Sequence, residues 1–142
     1  MYYFDSAYVA KCYLNEPDSE KIWNLVRTPV GLYSSALCIA EVTSAVQRRY
    51  QEKVLTRKQV QEITARFRSD IERGTWTLVP LSERLLWEVH EALRRLPGSI
   101  FLRSGDAIHL VSARMAGFGE IWSNDRYLLA AASHFRLSGR DV

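Results

Sequence analysis

The sequence predicts a three-layer α/β/α sandwich with a mainly parallel central sheet. Two observations carry that prediction. Short β-rich runs alternate with amphipathic helical segments along the whole chain, which is the signature of βα units feeding one parallel sheet. Several of the β-rich runs also end in, or lead shortly to, a carboxylate at the start of the next helix. In open α/β folds the carboxyl edge of the sheet is where ligands bind. At 142 residues the chain has the size of one domain with one respectable core, residues 1–142.

The first run, Met1-Tyr2-Tyr3-Phe4-Asp5-Ser6, sets the pattern. Its consecutive aromatics read as a short buried strand. The strand ends in Asp5, and Ser6 is placed to cap a helix from Ala7 to about Leu14. Asn15 to Ser19 interrupts it. Asp18 or Ser19 starts a second helix with Ile22, Trp23, Leu25 and Val26 at helical spacing, and Thr28-Pro29 closes it. Val30 to Tyr33 reads as the second strand. Ser34 or Ser35 then caps a long helix whose apolar positions include Leu37, Ile39, Val42 and Val46. Glu41 lies one and a half to two turns after that cap, between Ala40 and Val42.

Residues 48–73 are the most basic part of the chain. Arg48, Arg49, Lys53, Arg57, Lys58, Arg66, Arg68 and Arg73 outnumber Glu52, Glu62, Asp70 and Glu72. A solvated helical surface accounts for any one of these charges; the regional excess marks the place for phosphate contacts. Thr56 starts a helix there, and Gly74 ends it. Thr75 to Val79 is the third strand. Ser82 opens a helix to about Leu96, stopped by Pro97-Gly98. The segment Leu102 to Gly105 delivers Asp106 to the start of a strongly apolar helix capped by Gly117. Glu120 to Ser123 is the fourth strand, with Asn124-Asp125 at its carboxyl end. A short helix from Arg126 to Ala132 follows, and Phe135 to Leu137 is assigned as an edge strand.

Composition bounds the function. The net charge of +3 and pI of about 9.0 are compatible with a polyanionic partner without specifying one. The two cysteines, Cys12 and Cys38, have neither metal-ligand nor disulfide spacing and read as core thiols. No apolar run approaches the ~20 residues of a membrane span, and no basic segment precedes an apolar signal core. The expected location is the cytoplasm. Phosphate-cradling glycine loops are absent. No Ser/His/Asp set is framed for nucleophilic catalysis. A phosphotransferase that begins with a strand-terminal Asp needs a second Asp two positions on, and Ala7 stands there. Of the scattered histidines His90, His109 and His134, His109 falls three residues after Asp106. Helix packing is the first reading of it, and approach to the acidic residues the second.

Asp5, Glu41, Asp106 and Asp125 therefore occupy related local positions, all able to fall at one sheet edge. Clustered carboxylates repel unless a cation neutralises them. Mg²⁺ suits such a set because it takes oxygen ligands and needs only one or two carboxylates beside substrate phosphate. Such an ion can activate water and neutralise a scissile phosphate.

The segments Tyr3-Phe4-Asp5-Ser6, Ser34-Ser35 with Ile39-Ala40-Glu41-Val42, Ser104-Gly105-Asp106-Ala107, and Trp122 to Leu128 resemble, in order and spacing, the motifs of PIN domains. The likeness is greatest to the VapC-type toxins of prokaryotic toxin–antitoxin pairs, and it covers the whole chain. It implies a Mg²⁺- or Mn²⁺-dependent ribonuclease with Asp5 and Asp106 as principal metal ligands. Glu41 and Asp125 would complete the catalytic set, orienting a water on the metal or a second ion, with Ser123 and Asn124 holding Asp125. It further implies an RNA substrate, a homodimer and an antitoxin that blocks the site. The competing reading is a non-catalytic PIN-like module that binds RNA or protein. Four clustered negative charges argue against it, because they gain nothing for RNA binding.

Overall fold

The computed structural model of the protein describes residues 1–142. Five strands alternate with helices in the predicted way. Strand β1 (Tyr2–Tyr3) leads through the bridge residue Phe4 to α1 (Ser6–Lys11) and α2 (Ser19–Val26). Strand β2 (Leu32–Ser35) precedes α3 (Cys38–Gln51) and α4 (Arg57–Glu72). Strand β3 (Trp76–Val79) is followed by α5 (Glu83–Arg95) and α6 (Ser104–Met115). Strand β4 (Glu120–Trp122), α7 (Arg126–Ala131), a 3-10 turn over Ala132–Phe135 and β5 (Ser138–Arg140) complete the chain.

All strand pairing is parallel. β1 pairs β2 and β2 pairs β3, while β4 pairs β5. The two ladders meet where Phe4 bridges Trp122 in parallel and the Asp5 N–H donates to the Trp122 carbonyl at 3.1 Å. In space the strands therefore run β3-β2-β1-β4-β5. The order reverses direction between β1 and β4, so the carboxyl ends of these two strands flank a topological switch point, where open α/β sheets form their ligand crevice.

The aromatic run of β1 explains the layering. Successive residues of a strand face opposite sides of the sheet. Tyr3 enters one core with Leu85, Val89, Leu110, Val111 and Ile121, beneath α5, α6 and α7. Phe4 enters the other with Tyr8, Ile22, Val42, Val46, Phe67 and Trp76, beneath α1 to α4. Both rings are fully buried, and truncating such an aromatic to Ala costs about 3–5 kcal/mol. No helix is long and apolar enough to cross a membrane.

Several boundaries depart from those read in the sequence. Asp5, not Ser6, caps α1: its side chain accepts the Tyr8 N–H at 2.9 Å, which frees the Ser6 hydroxyl for a tertiary contact. Ser34 and Ser35 end β2 rather than capping α3 directly. Ser35 Oγ accepts the Leu37 N–H at 3.1 Å across the intervening turn. This moves the helix start to Cys38 and puts Glu41 in its first turn. The last strand lies at Ser138–Arg140, because residues 132–135 form the 3-10 turn and Arg136 takes a left-handed conformation (φ 60°) that reverses the chain before it. Thr56 and Ser82 cap α4 and α5 as predicted, and Gly117 ends α6 at φ 85°. Both cysteines are free; burial pushes the Cys12 thiol up to about 12 and the Cys38 thiol up to about 11, as befits core residues.

Candidate active site

Four helix starts converge at the switch point. Asp5 caps α1, Glu41 lies in the first turn of α3, Asp106 in the first turn of α6, and Asp125 caps α7. Helix N-termini carry positive partial charge, which offsets part of the repulsion among these carboxylates. All four line one cleft of about 260 Å³, together with Ser6, Arg48, Arg103 and His109. The residues drawn from four separate sequence segments are thus brought to one place.

Asp5 is the most buried of them, at 4% exposure. One of its oxygens takes the Tyr8 N–H and the other the Ser123 hydroxyl. Burial drives its carboxyl above the ordinary range; His109, Ser123 and the Tyr8 amide offset this only partly, and the nearby Asp106 adds to it. Asp106 is also raised, first by burial, with Asp125 contributing, although the Arg103 guanidinium pulls the other way. Glu41 goes in the opposite direction. Burial alone would raise it, but the hydrogen bond and proximity of His109, then Ser6 and Arg103, hold it below its usual value.

Asp125 is held at both oxygens. Oδ1 accepts the N–H groups of Tyr127 (2.8 Å) and Leu128 (3.0 Å), and Oδ2 takes Arg103 Nη2 at 2.8 Å. Ser123 Oγ accepts the Asp125 N–H at 2.9 Å and donates to Asp5, so one hydroxyl ties the ends of β1 and β4 together. The support expected from Ser123 is present, whereas Asn124 makes no side-chain hydrogen bond to Asp125.

Arg103 is not legible in the sequence as a site feature, whereas approach to the acidic residues is the second reading of His109. Arg103 Nε also reaches Asp106 Oδ2 at 3.1 Å, so its guanidinium bridges two of the four carboxylates. The local signal was its i,i+3 spacing from Asp106 at a helix start; the second bond spans 22 residues and is set by the fold. His109 is buried, one turn after Asp106, but it faces Glu41 and Ser6 rather than only packing.

The donor set fits a hard divalent cation. Every anionic ligand atom is a carboxylate oxygen, the donor type that Mg²⁺ and Mn²⁺ take. The largely exposed Arg103 guanidinium stands between Asp106 and Asp125 and offsets part of their charge. No three of the side chains close into a ligating group as they stand.

The basic stretch is partly spoken for. Arg49 pairs with Glu16 (2.5 Å) and Glu52 (3.1 Å), Arg68 with Glu72 (2.8 Å), and Arg73 with Asp70 (3.2 Å). Arg57 lies over the Tyr50 ring at 5.0 Å. Arg48 turns toward the acidic cleft.

Comparison with known proteins agrees with this fold. No curated protein sequence matches the chain significantly. Among solved structures, FitAcB from Neisseria gonorrhoeae is similar at 13% identity and a TM-score of 0.71, covering 98% of this chain and 96% of that one. VapC20 of Mycobacterium tuberculosis, described as a toxin that cleaves the sarcin–ricin loop, is similar at 15% identity and a TM-score of 0.70, covering 92% and 95%. VapBC2 from Rickettsia felis, solved with a DNA fragment from its promoter, gives 14%, 0.68, and coverage of 99% and 97%. At such identities these likenesses speak to the fold. The sequence profile of the PIN domain matches residues 2–133, and with it the parallel sheet, the four converging helix starts and the ordered acidic residues take their place: the chain belongs to the PIN domain family.

Proposed function

We propose that this protein is a metal-dependent endoribonuclease that hydrolyses RNA phosphodiester bonds, and that it acts as the toxin of a toxin–antitoxin pair. The single observation that carries the reading is the convergence of Asp5, Glu41, Asp106 and Asp125 in one cleft. The similar VapC20 structure, described as a sarcin–ricin loop-cleaving toxin, supports the same reading. The whole chain, residues 1–142, acts as one PIN-like unit in the cytoplasm, as a homodimer controlled by an antitoxin.

Asp5 and Asp106 would hold a Mg²⁺ or Mn²⁺ ion. Bound there, the ion supplies charge neutralisation for the scissile phosphate and activation of the attacking water. The protein does the rest. Ser123 orients Asp5, and the α7 amides orient Asp125. Glu41, held ionised and 40% exposed at the cleft mouth, would with Asp125 orient the attacking water or a second ion. The second reading, a binding module without cleavage, is favoured by one feature, the Arg103 bridge that already neutralises Asp106 and Asp125. Mapping of cleavage sites in total RNA after brief expression, beside an Asp5→Asn control, tests the first reading: new ends in the wild type alone establish cleavage, and none in either overturns it.

RNA contacts are assigned to the members of the basic stretch that no carboxylate engages. Arg48→Gln, Lys53→Gln and Lys58→Gln, combined in the Asp5→Asn background, should flatten the salt dependence of single-stranded RNA binding. The expected loss is roughly 0.7 in log–log slope per phosphate contact removed. Fluorescence anisotropy over a salt series reads it, with Arg68→Gln/Arg73→Gln as the ion-paired comparison. An unchanged slope in the triple variant would assign this surface to solvent or to the antitoxin.

A further inference from the structure

Behind Glu41 lies a three-membered polar contact that the acidic residues do not account for. Ser6 Oγ is 2.8 Å from Glu41 Oε1 and 2.8 Å from His109 Nε2, and His109 Nε2 is itself 2.9 Å from the same Oε1. These residues come from α1, α3 and α6. His109 is only 2% exposed and Ser6 8%. On the other side, a Cβ added at Gly105 would stand 3.2 Å from Glu41 Oε2, so the first turn of α6 forms a close floor under that oxygen.

The geometry and the acceptor chemistry together favour one placement of the protons. A carboxylate oxygen only accepts, so a ring nitrogen 2.9 Å away must carry hydrogen; two bare lone pairs would repel. The proton of His109 is therefore on Nε2. Its Nδ1 is buried with no partner, so a proton there would be left unsatisfied. Ser6 has one hydrogen, which it gives to Glu41, and its oxygen can accept from the His109 ring. Oε1 thus takes the Ser6 hydroxyl and shares the single His109 Nε2–H with Ser6 Oγ, whereas no side chain donates to Oε2.

We infer that His109 is a positioning residue: together with Ser6 it locks Glu41 Oε1 and presents Oε2 alone to the reacting water. This rests on the ribonuclease reading above and extends it to two residues outside the acidic set. His109 touches neither substrate nor metal on this account. Removing a group of this kind typically lowers activity 10–100-fold, roughly the effect of losing an outer partner of a ligand.

The test compares wild type, His109→Phe, His109→Gln and Ser6→Ala on a fluorophore–quencher RNA pool of random sequence with Mn²⁺. His109→Phe and Ser6→Ala should lower kcat about 10–100-fold with KM within about twofold. His109→Gln, whose amide N–H can reach Glu41, should recover most of that loss. The Mn²⁺-induced rise in melting temperature should persist in all three, because Asp5 and Asp106 are untouched. In the wild type, ¹⁵N spectra of the His109 ring should show hydrogen on Nε2 and none on Nδ1. The inference is overturned by a kcat within twofold of wild type in His109→Phe or Ser6→Ala, by a His109→Gln protein no better than His109→Phe, or by a ring proton on Nδ1. If His109→Phe does not fold, Ser6→Ala and the ring spectrum still decide. A wild-type protein that cuts no RNA defeats the ribonuclease reading instead, and the ring spectrum then judges the contact separately.

Discussion

Asp5→Asn should abolish RNA cleavage and any growth arrest while leaving the protein folded. The amide keeps the size of the carboxylate and retains an oxygen for the Tyr8 N–H that starts α1. It removes the charge on which the cation depends. No side chain here is framed as an activated nucleophile, so no second route to hydrolysis is left. The rate should fall about a thousandfold or more, the scale seen when one member of a catalytic unit is lost. Glu41→Gln and Asp125→Asn should be severely impaired too, and combining either with Asp5→Asn should add little, since such residues act as one unit. EDTA should stop the wild-type enzyme, and excess Mg²⁺ or Mn²⁺ should restore it. A well-folded Asp5→Asn protein cutting at the wild-type rate would sink the ribonuclease reading.

The second large effect is on stability. Mg²⁺ or Mn²⁺ that binds only the native state raises stability by ~2.7 kcal/mol at about a hundredfold excess over its dissociation constant. Asp106→Asn should lose most of that gain, read as the metal-induced shift in melting temperature. Without metal the order should reverse. The Asp106 carboxyl is raised above its ordinary value, first by burial. A carboxyl raised in the folded state binds more protons there than in the unfolded chain, so its ionisation costs stability as pH rises through the folded pKa. At neutral pH and without metal, Asp106→Asn should therefore melt above wild type. The difference should close as the pH falls toward the ordinary carboxylate range, where wild-type Asp106 is itself protonated. An unchanged metal response in Asp106→Asn would remove Asp106 from the metal site.

The sequence was most informative where local chemistry decides the structure. The aromatic run before Asp5, the Thr56 and Ser82 caps and the turn at Gly117 are local signals, and each held. Each of the four carboxylates likewise stands near the start of its own helix. Positions fixed by partners distant in sequence were harder to read. Ser6 reads as a cap until Asp5 takes that role and releases its hydroxyl to Glu41, 35 residues away. Arg103 reads as a loop cation until the fold brings Asp125 beside Asp106. The basic excess of residues 48–73 reads as one surface, yet several of its arginines are engaged by nearby carboxylates.

The opposite facing of Tyr3 and Phe4 has a consequence for how such a chain can drift. Each ring belongs to a different core, and Asp5 follows directly. Exchanging either aromatic for another bulky apolar side chain disturbs one layer, and neighbouring side chains can repack around it. Inserting or deleting a single residue before Asp5 is a different event. It sends each ring to the wrong side of the sheet, or else it displaces Asp5 from the Tyr8 and Ser123 contacts that hold it. The opening strand is therefore lenient about spelling and strict about length.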